Sequence, residues 1–205
     1  IGSEGTLGII TQVTLKLQPL PPYKIDMLAI FHDQMAAIGV VPQLVKAGID
    51  PTSIEYMDNP NVRTTSEYLE FPGAPHIEDG IYVIITIETF NEDELDMKME
   101  QASDICEAAG AVDVLEADER IWSMRRNCLE SVSLISKVCT TDDVVVPVDE
   151  MSDMIQYIIK TVAKYPFPLR INAHIGDGNL HIVLCKLDLS DEEWESELSR
   201  FTEEV

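Results

Sequence analysis

The segment that constrains the fold most is Asn172-Ala-His174-Ile-Gly-Asp-Gly-Asn-Leu-His181. Its Asp-Gly pair at 177–178 is a strong signal for a two-residue type I′ turn between two β-like runs. With that pair at the centre of the turn, His174 lies directly opposite His181 on one face of a hairpin. The other face is entirely apolar, with Ile171, Ala173, Ile175, Leu180, Ile182 and Leu184. The pattern therefore predicts an antiparallel hairpin with one buried face and two imidazoles on the other.

The two histidines suggest a metal site. Directly opposed residues have Cβ atoms about 4.5–5.5 Å apart, and imidazole nitrogens bind zinc at about 2.0–2.1 Å. Two histidines alone hold a metal weakly, so a third ligand, a carboxylate from elsewhere in the chain, would be required. The spacing is equally compatible with a surface pair that only stacks, and the Gly-Asp-Gly can be simply a turn. Both interpretations stay open at this level.

Outward from the hairpin, helices and strands alternate along the chain. Strands are predicted at residues 8–18, 24–31, 52–57, 81–88, 111–116, 144–146, 169–174 and 180–187. Helices are predicted at residues 33–47, 91–109, 118–136, 150–164 and 190–204, with a short one within 59–79. Some connections are too short for parallel crossovers. The prediction is an α+β fold, an antiparallel sheet with helices packed on one face, like a ferredoxin-like (split βαβ) layer.

Three prolines, Pro19, Pro21 and Pro22, form a stiff connector and the best candidate for a domain boundary. They divide the chain into residues 1–20 and 21–205. The four cysteines include no CxxC pair, and a domain of this size does not need disulfides. Reduced thiols and a cytoplasmic location are therefore expected.

Composition excludes several function classes. The 205 residues include 14 Lys+Arg and 37 Asp+Glu, for a net charge of −23, while the 45% hydrophobic content is ordinary for a globular protein. Such a negative charge repels nucleic acid and anionic membrane surfaces. No apolar run reaches the roughly 18 residues of a spanning helix.

Four stretches in the same order resemble one enzyme family. The run from His174 to His181 resembles the metal-binding signature in the C-terminal domain of FAD-linked oxidases. These vanillyl-alcohol-oxidase-like flavoenzymes include glycolate oxidase flavoprotein subunits, D-lactate dehydrogenases and D-2-hydroxyglutarate dehydrogenases. The other stretches are Ile1-Gly-Ser-Glu-Gly-Thr-Leu-Gly8, Trp122-Ser-Met-Arg125 and Asp143-Val-Val-Val-Pro147. They resemble the last segment of the family's FAD-binding domain, its Trp-x-x-Arg, and the strand that leads into its active-site helix.

The resemblance implies a role for each matched residue. His174 and His181 would be ligands of a divalent metal, commonly zinc, that polarises the hydroxyl of a D-2-hydroxy acid. Hydride would pass to the flavin, leaving a 2-oxo acid. Arg125 matches the arginine that pairs with the substrate carboxylate. On spacing alone, Arg125 could instead be a surface residue paired with Glu119 or Glu130, and Arg126 would be the match if the register shifted.

The family's remaining metal ligand is a glutamate in a downstream Gly-Glu-His-Gly segment. The sequence reaches Val205 without that segment, so the resemblance implies an incomplete metal site in this chain. The D-2-hydroxyglutarate enzymes also place a threonine four residues after the arginine and a lysine before the Asp-x-x-x-Pro strand. Leu129 and Thr141 occupy those positions here. This difference favours a small monocarboxylate, lactate or glycolate.

The N-terminal segment implies contact with FAD through Gly2, Ser3, Gly5, Thr6 and Gly8. In the family the FAD-binding domain that holds the cofactor lies upstream, and residues 1–20 resemble its end. No stable FAD binding and no activity are therefore expected of these 205 residues alone. An electron-transferring flavoprotein or an iron–sulfur subunit would be a further partner. The alternative hypothesis is a metal-binding or structural interaction module without catalytic activity.

Overall fold

The computed structural model describes residues 5–205, which form one seven-stranded antiparallel sheet and its helices. The strands are β1 (Tyr23–Phe31), β2 (Ser53–Met57), β3 (Ile81–Thr89), β4 (Asp113–Glu116), β5 (Cys139–Val145), β6 (Leu169–His174) and β7 (Asn179–Cys185). The helices are α1 (Gln34–Lys46), α2 (Asn59–Tyr68), α3 (Glu92–Ala108), α4 (Glu119–Arg126), α5 (Cys128–Ser131), α6 (Met151–Val162) and α7 (Asp191–Glu204). Short 3-10 turns occupy Val132–Leu134 and Val148–Glu150.

The strand order is β4-β1-β3-β2-β6-β7-β5, and every neighbouring pair is antiparallel. The units β1-α1-β2 and β3-α3-β4 interleave as 4-1-3-2, which is the split-βαβ arrangement. Helix α2 is inserted between the two units. Strands β6, β7 and β5 extend the sheet beyond β2. The predicted α+β fold with an antiparallel, ferredoxin-like sheet is confirmed.

Local signals in the sequence explain where the helices begin. Five of them start at a side chain whose oxygen accepts a hydrogen bond from a backbone N–H in the first turn, the usual N-cap arrangement. These caps are Asp33, Asp58, Asn91, Asp118 and Ser190. Ser190 and Glu193 form a complete capping box.

The two faces of the sheet are covered unequally. Helices α1, α3, α6 and α7 bury the larger core, which includes Phe31, Leu44, Ile85 and Ile155. Helices α2, α4 and α5 cover part of the opposite face, above Leu28, Ile30 and Tyr82. This second, smaller helical layer is an addition to the predicted arrangement, and it positions the candidate site described below.

Two secondary-structure predictions were wrong in detail. The helix predicted over residues 118–136 is broken after α4, where the amide of Asn127 donates to the carbonyl oxygen of Ser123 at 2.8 Å. Such local side-chain bonds compete with continuation of a helix. Strand β5 is longer than the predicted 144–146. Its alternating exposed and half-buried residues fit an edge strand, and its two aspartates masked the β pattern.

The predicted strand at residues 8–18 is absent from the structure. This segment has no regular secondary structure, and its apolar side chains are exposed, with Ile9 at 90% and Leu17 at 86%. A strand needs a neighbour for its backbone hydrogen bonds, and no described strand pairs with these residues. Gly2 and Ser3 lie outside the described residues. The division at residue 20 stays a prediction.

Two simpler expectations concern thiols and membranes. All four cysteines are free, and Cys106, Cys128 and Cys185 are buried. Within residues 5–205 there is no helix long and apolar enough to cross a bilayer.

A buried aspartate joins the two halves of the sheet. Asp58 Oδ1 accepts a hydrogen bond from the backbone N–H of Asn61 at 2.8 Å, and Oδ2 accepts one from that of Ile171 at 2.7 Å. Desolvation by burial raises the pKa of Asp58 to about 6, although these hydrogen bonds oppose the rise. The folded chain therefore holds a proton here at a pH where the unfolded chain has released it.

Because Asp58 keeps this proton in the folded state, part of the free energy of unfolding depends on pH. The pKa of Asp58 is higher in the folded state than in the unfolded state. The stabilisation by its proton is therefore complete below the unfolded pKa of about 3.9 and is lost as the pH rises through about 6. We expect the stability of the wild type relative to Asp58→Asn to fall by roughly 2–3 kcal/mol between pH 4 and pH 7. Urea unfolding of both proteins across this range measures the difference. A constant difference would contradict the assignment.

Candidate functional site

Six polar residues form two adjacent rows across the sheet, on the face covered by α2 and α4. Each row crosses three strands, and its members are direct partners in the ladder. The first row is Glu55, His174 and Asn179, and the second is Asn172, His181 and Asp143. The four strands β2, β6, β7 and β5 thus place carboxylates, amides and imidazoles side by side.

The two histidines share a face, as predicted, but they are not directly opposed. His174 pairs with Asn179, and His181 pairs with Asn172, so the predicted register is wrong by two residues. A register shift of two residues keeps every side chain on the same face of the hairpin. The apolar face of the hairpin is buried, as expected. The histidine rings are diagonal neighbours with centroids 5.1 Å apart and planes at 85°.

The register differs because the turn is a four-residue loop docked against other strands. The N–H of Gly176 donates to the carbonyl oxygen of Ile54 at 3.3 Å, which holds the loop against β2. The N–H of Asp177 donates to the carbonyl oxygen of His174 at 3.0 Å. Gly178 has a φ of +76°, and a Cβ atom there would overlap the carbonyl oxygen of Val146. These tertiary contacts override the local preference for a two-residue turn.

Gly178→Ala tests this docking. We expect a loss of about 2–5 kcal/mol in unfolding free energy, from the left-handed backbone and from overpacking against Val146. The matched control is Gly48→Ala, because Gly48 has a φ of +77° with nothing within 4 Å of its Cβ position. The control should lose only about 1–2 kcal/mol. Equal losses in urea unfolding would mean that the contact with Val146 is unimportant.

Arg125 extends from α4 to the first row and is largely buried. Its Nε donates to Glu55 Oε2 at 3.0 Å, and its Nη1 donates to Asn172 Oδ1 at 3.2 Å. Nη2 lies 2.8 Å from Glu55 Oε2 and belongs to the same ion pair. Arg126 points elsewhere and pairs with the exposed Glu119. The structure therefore brings Arg125, rather than Arg126, to the two histidines.

One buried atom of the site has unused hydrogen-bonding capacity. It is Oδ1 of Asn179, which has no hydrogen-bond partner in the described part of the chain. Native proteins satisfy the great majority of buried polar groups. Guanidinium groups bind carboxylates through several N–H groups, so an anionic ligand would share Arg125 with Glu55.

Glu55 is the site residue that sequence reasoning missed. Its carboxylate accepts from Arg125 and also lies 2.9 Å from Nδ1 of His174, so it orients both side chains. The sequence places Glu55 at a polar position of a predicted strand and offers no other signal. Its partners lie 70 and 119 residues away, and only the order of the strands brings them together.

Both histidines have Nδ1 against a carboxylate. His174 faces Glu55, and His181 hydrogen-bonds to Asp143. In a neutral imidazole, a carboxylate at Nδ1 holds the proton there and leaves the lone pair of Nε2 for a ligand. This is the arrangement typical of metal-binding histidines. Within residues 5–205, however, no third His, Cys, Asp or Glu joins the pair to form a group with all ligand atoms within 4.8 Å.

The remaining predicted site residues lie in the N-terminal segment. Gly5, Thr6 and Gly8 are exposed, and Gly5 and Gly8 have nothing within 4 Å of their Cβ positions. The described residues thus show no cradle for a flavin around these glycines. Their predicted contact with FAD stays a prediction.

Comparison with known families places nearly the whole chain in one domain type. The sequence model described as "FAD linked oxidases, C-terminal domain" matches residues 20–205. The match includes both rows of the site and Arg125.

Curated relatives and solved structures agree with this match. A D-lactate dehydrogenase of Anaerostipes hadrus is 33% identical over all of this chain and 45% of its own length. The glycolate oxidase subunit GlcD of Bacillus subtilis (strain 168) is 31% identical over 94% of this chain and 41% of its own length. An alkyldihydroxyacetonephosphate synthase structure covers the whole chain and 43% of its own with a TM-score of 0.67, and at 18% identity it shows the fold alone. The chain spans less than half of the length of these relatives.

Proposed function

Because this chain belongs to the FAD-linked oxidases and forms their C-terminal domain, we propose that it binds the substrate in a flavin-dependent oxidoreductase. The substrate is a small D-2-hydroxy acid, lactate or glycolate, which is oxidised to the 2-oxo acid. The observation that carries the proposal is the buried Arg125, which Glu55 and Asn172 hold beside the two histidines. The names of the relatives, D-lactate dehydrogenase and glycolate oxidase, support the same substrate class.

Arg125 would bind and orient the substrate carboxylate. Glu55 and Asn172 fix the plane of the guanidinium. A preoriented cation loses little side-chain entropy when the anion binds. A substrate whose carboxylate is held in this way can place its 2-hydroxyl group towards the histidine pair.

The charge around Arg125 argues for a cation at the histidines. Glu55 and Asp143 supply two negative charges against the single positive charge of Arg125. An anionic substrate is attracted only if a further positive charge is present. A divalent metal on His174 and His181, with zinc as the expected ion, would supply that charge and polarise the substrate hydroxyl. The free Nε2 atoms fit this role, and a third ligand from outside the described residues would complete it.

FAD would accept the hydride from C2 of the substrate, and the hydroxyl proton would pass to a general base. An upstream FAD-binding domain would hold the FAD. Contact through Gly2, Ser3, Gly5, Thr6 and Gly8 belongs to this proposal. An electron-transferring flavoprotein or an iron–sulfur subunit would reoxidise the flavin. Cytoplasmic location stays a prediction, since the names of two relatives describe mitochondrial enzymes.

The test uses the intact flavoprotein that contains this chain, assayed with an artificial electron acceptor before and after chelation of metals. D-lactate, glycolate and D-2-hydroxyglutarate are compared at equal concentration. We expect turnover of D-lactate or glycolate, little turnover of D-2-hydroxyglutarate, and a loss of activity after chelation that added zinc restores. Metal binding without turnover of any of the three acids would support the alternative, a binding module without catalysis.

A further inference from the structure

A second cluster of potential ligands lies at another place in the fold, where β1 ends and β3 and β4 begin. His32 follows the last residue of β1, and Asp79 lies two residues before β3. Because Phe31 pairs with Ile81 in the sheet, the nearby side chains of His32 and Asp79 are neighbours. His76, in the loop before β3, completes the group. One ligand atom of each of these three residues lies within 4.8 Å of the others.

The distances within this cluster, formed by His32, His76 and Asp79, are close to those that a metal ion requires. Nε2 of His32 lies 3.4 Å from Oδ1 of Asp79. The two imidazole rings have centroids 5.8 Å apart with planes at 60°. Ligands of one zinc ion, each at about 2.0–2.2 Å from it, lie roughly 3–4 Å from each other in tetrahedral geometry. The distance between His32 and Asp79 already lies in this range, and all three ligand atoms lie within 4.8 Å of one another.

The loop that carries His76 and Asp79 is fixed by side chains from the folded core. The amide of Asn59 donates to the carbonyl oxygens of Ile77 and Gly80, both at 3.1 Å. The hydroxyl of Tyr82 donates to the carbonyl oxygen of Pro75. A loop held in this way does not have to be ordered when a metal binds, which favours affinity.

His76 itself has an unusual backbone. Its φ is +47°, in the left-handed region, and its carbonyl oxygen accepts from the N–H of Gly80 at 2.6 Å. A Cβ atom on Gly80 would stand 2.6 Å from the same oxygen, so the turn requires glycine there. This turn directs the His76 ring towards His32.

Charge and ligand chemistry indicate which ions fit. Each histidine of the cluster lies beside a carboxylate: His32 pairs with Asp79, and His76 pairs with Asp113. The chain has a net charge of −23, which also favours cations. Two imidazoles and one carboxylate suit borderline transition metals such as Zn²⁺, whereas Mg²⁺ and Ca²⁺ prefer sites made of oxygen atoms.

We propose that His32, His76 and Asp79 bind one divalent transition-metal ion of the zinc class, independently of His174 and His181. Water would occupy the remaining coordination position. The ion would link the end of β1 to the loop before β3 and so stabilise the folded state by mass action.

Zinc alone is the probe, and isothermal titration is the measurement. The protein is the untagged 205-residue chain, stripped with EDTA and carrying His174→Asn and His181→Asn, so that the other candidate site is removed. We expect one equivalent of Zn²⁺ to bind. Adding His32→Asn or His76→Asn should weaken binding by at least about 10-fold. Asparagine is chosen at position 76 because it tolerates a positive φ.

Asp79→Asn removes the carboxylate ligand, and Glu78→Gln is its matched control. Glu78 is exposed and pairs with Arg63 outside the cluster, so its loss should leave zinc affinity within about threefold. Thermal unfolding in EDTA shows whether each variant is folded, and added zinc should raise the Tm of the parent but not of His32→Asn. The proposal is overturned if the parent binds no zinc, if Mg²⁺ binds equally well, or if the folded His32→Asn variant binds like the parent.

Discussion

Replacing Arg125 by alanine should destabilise the folded domain and remove most of the activity of the intact enzyme. Glu55 would be left as a buried carboxylate without its cation, which costs about 3–5 kcal/mol in unfolding free energy. In the intact flavoprotein, kcat/KM for the hydroxy acid should fall by about 100-fold or more, since the substrate carboxylate loses its binding group. Urea unfolding measures the first effect and steady-state kinetics the second.

Two further variants separate charge from packing. Arg126→Ala removes the neighbouring arginine, whose pair with Glu119 is exposed, and should change stability by less than about 1 kcal/mol. Arg125→Ala combined with Glu55→Gln removes the unpaired charge, so it should recover stability but not activity. Recovery of activity in this double variant would contradict the role of Arg125 in substrate binding.

His174→Ala should make the intact enzyme indifferent to chelators. If a metal on His174 and His181 polarises the hydroxyl, removal of His174 costs several kcal/mol of transition-state stabilisation, or about 10²–10⁴-fold in kcat/KM. The residual rate should not fall further when EDTA is added. Asp143→Asn should weaken metal affinity by about 10–100-fold, because Asp143 is not itself a ligand and only holds the Nδ1 proton of His181.

Metal analysis of the same samples provides the control for His174→Ala. The wild-type protein should lose zinc and activity in parallel during dialysis against EDTA. A His174→Ala enzyme that keeps both its zinc content and its chelator sensitivity would show that the metal lies elsewhere.

The fold was predictable where local patterns agree with the tertiary structure. The β-branched run of β3 and the capping side chains of the helices identify most elements and their order. The split-βαβ arrangement then follows from short connections and antiparallel pairing. Residues 8–18 show the limit, since their alternating pattern fits a strand but the described chain provides no neighbouring strand.

The candidate site was predictable only in part. His174 and His181 were identified by the hairpin pattern, but their register was wrong because Gly176 and Gly178 dock against residues far along the chain. Arg125 was identified through resemblance to a family. Glu55 carried no local signal, because its contribution depends on the pairing of β2 with β6. Contacts across such distances cannot be read from spacing.

Anaerobic reduction of the flavin by D-lactate or glycolate, followed by stopped-flow absorbance, tests the central claim most directly. It observes hydride transfer without any electron acceptor. The account predicts rapid reduction in the intact wild-type enzyme, and reduction at least about 100-fold slower in Arg125→Ala, with FAD content unchanged. Equal reduction rates in the two proteins would contradict the assignment of this domain as the part that binds the substrate.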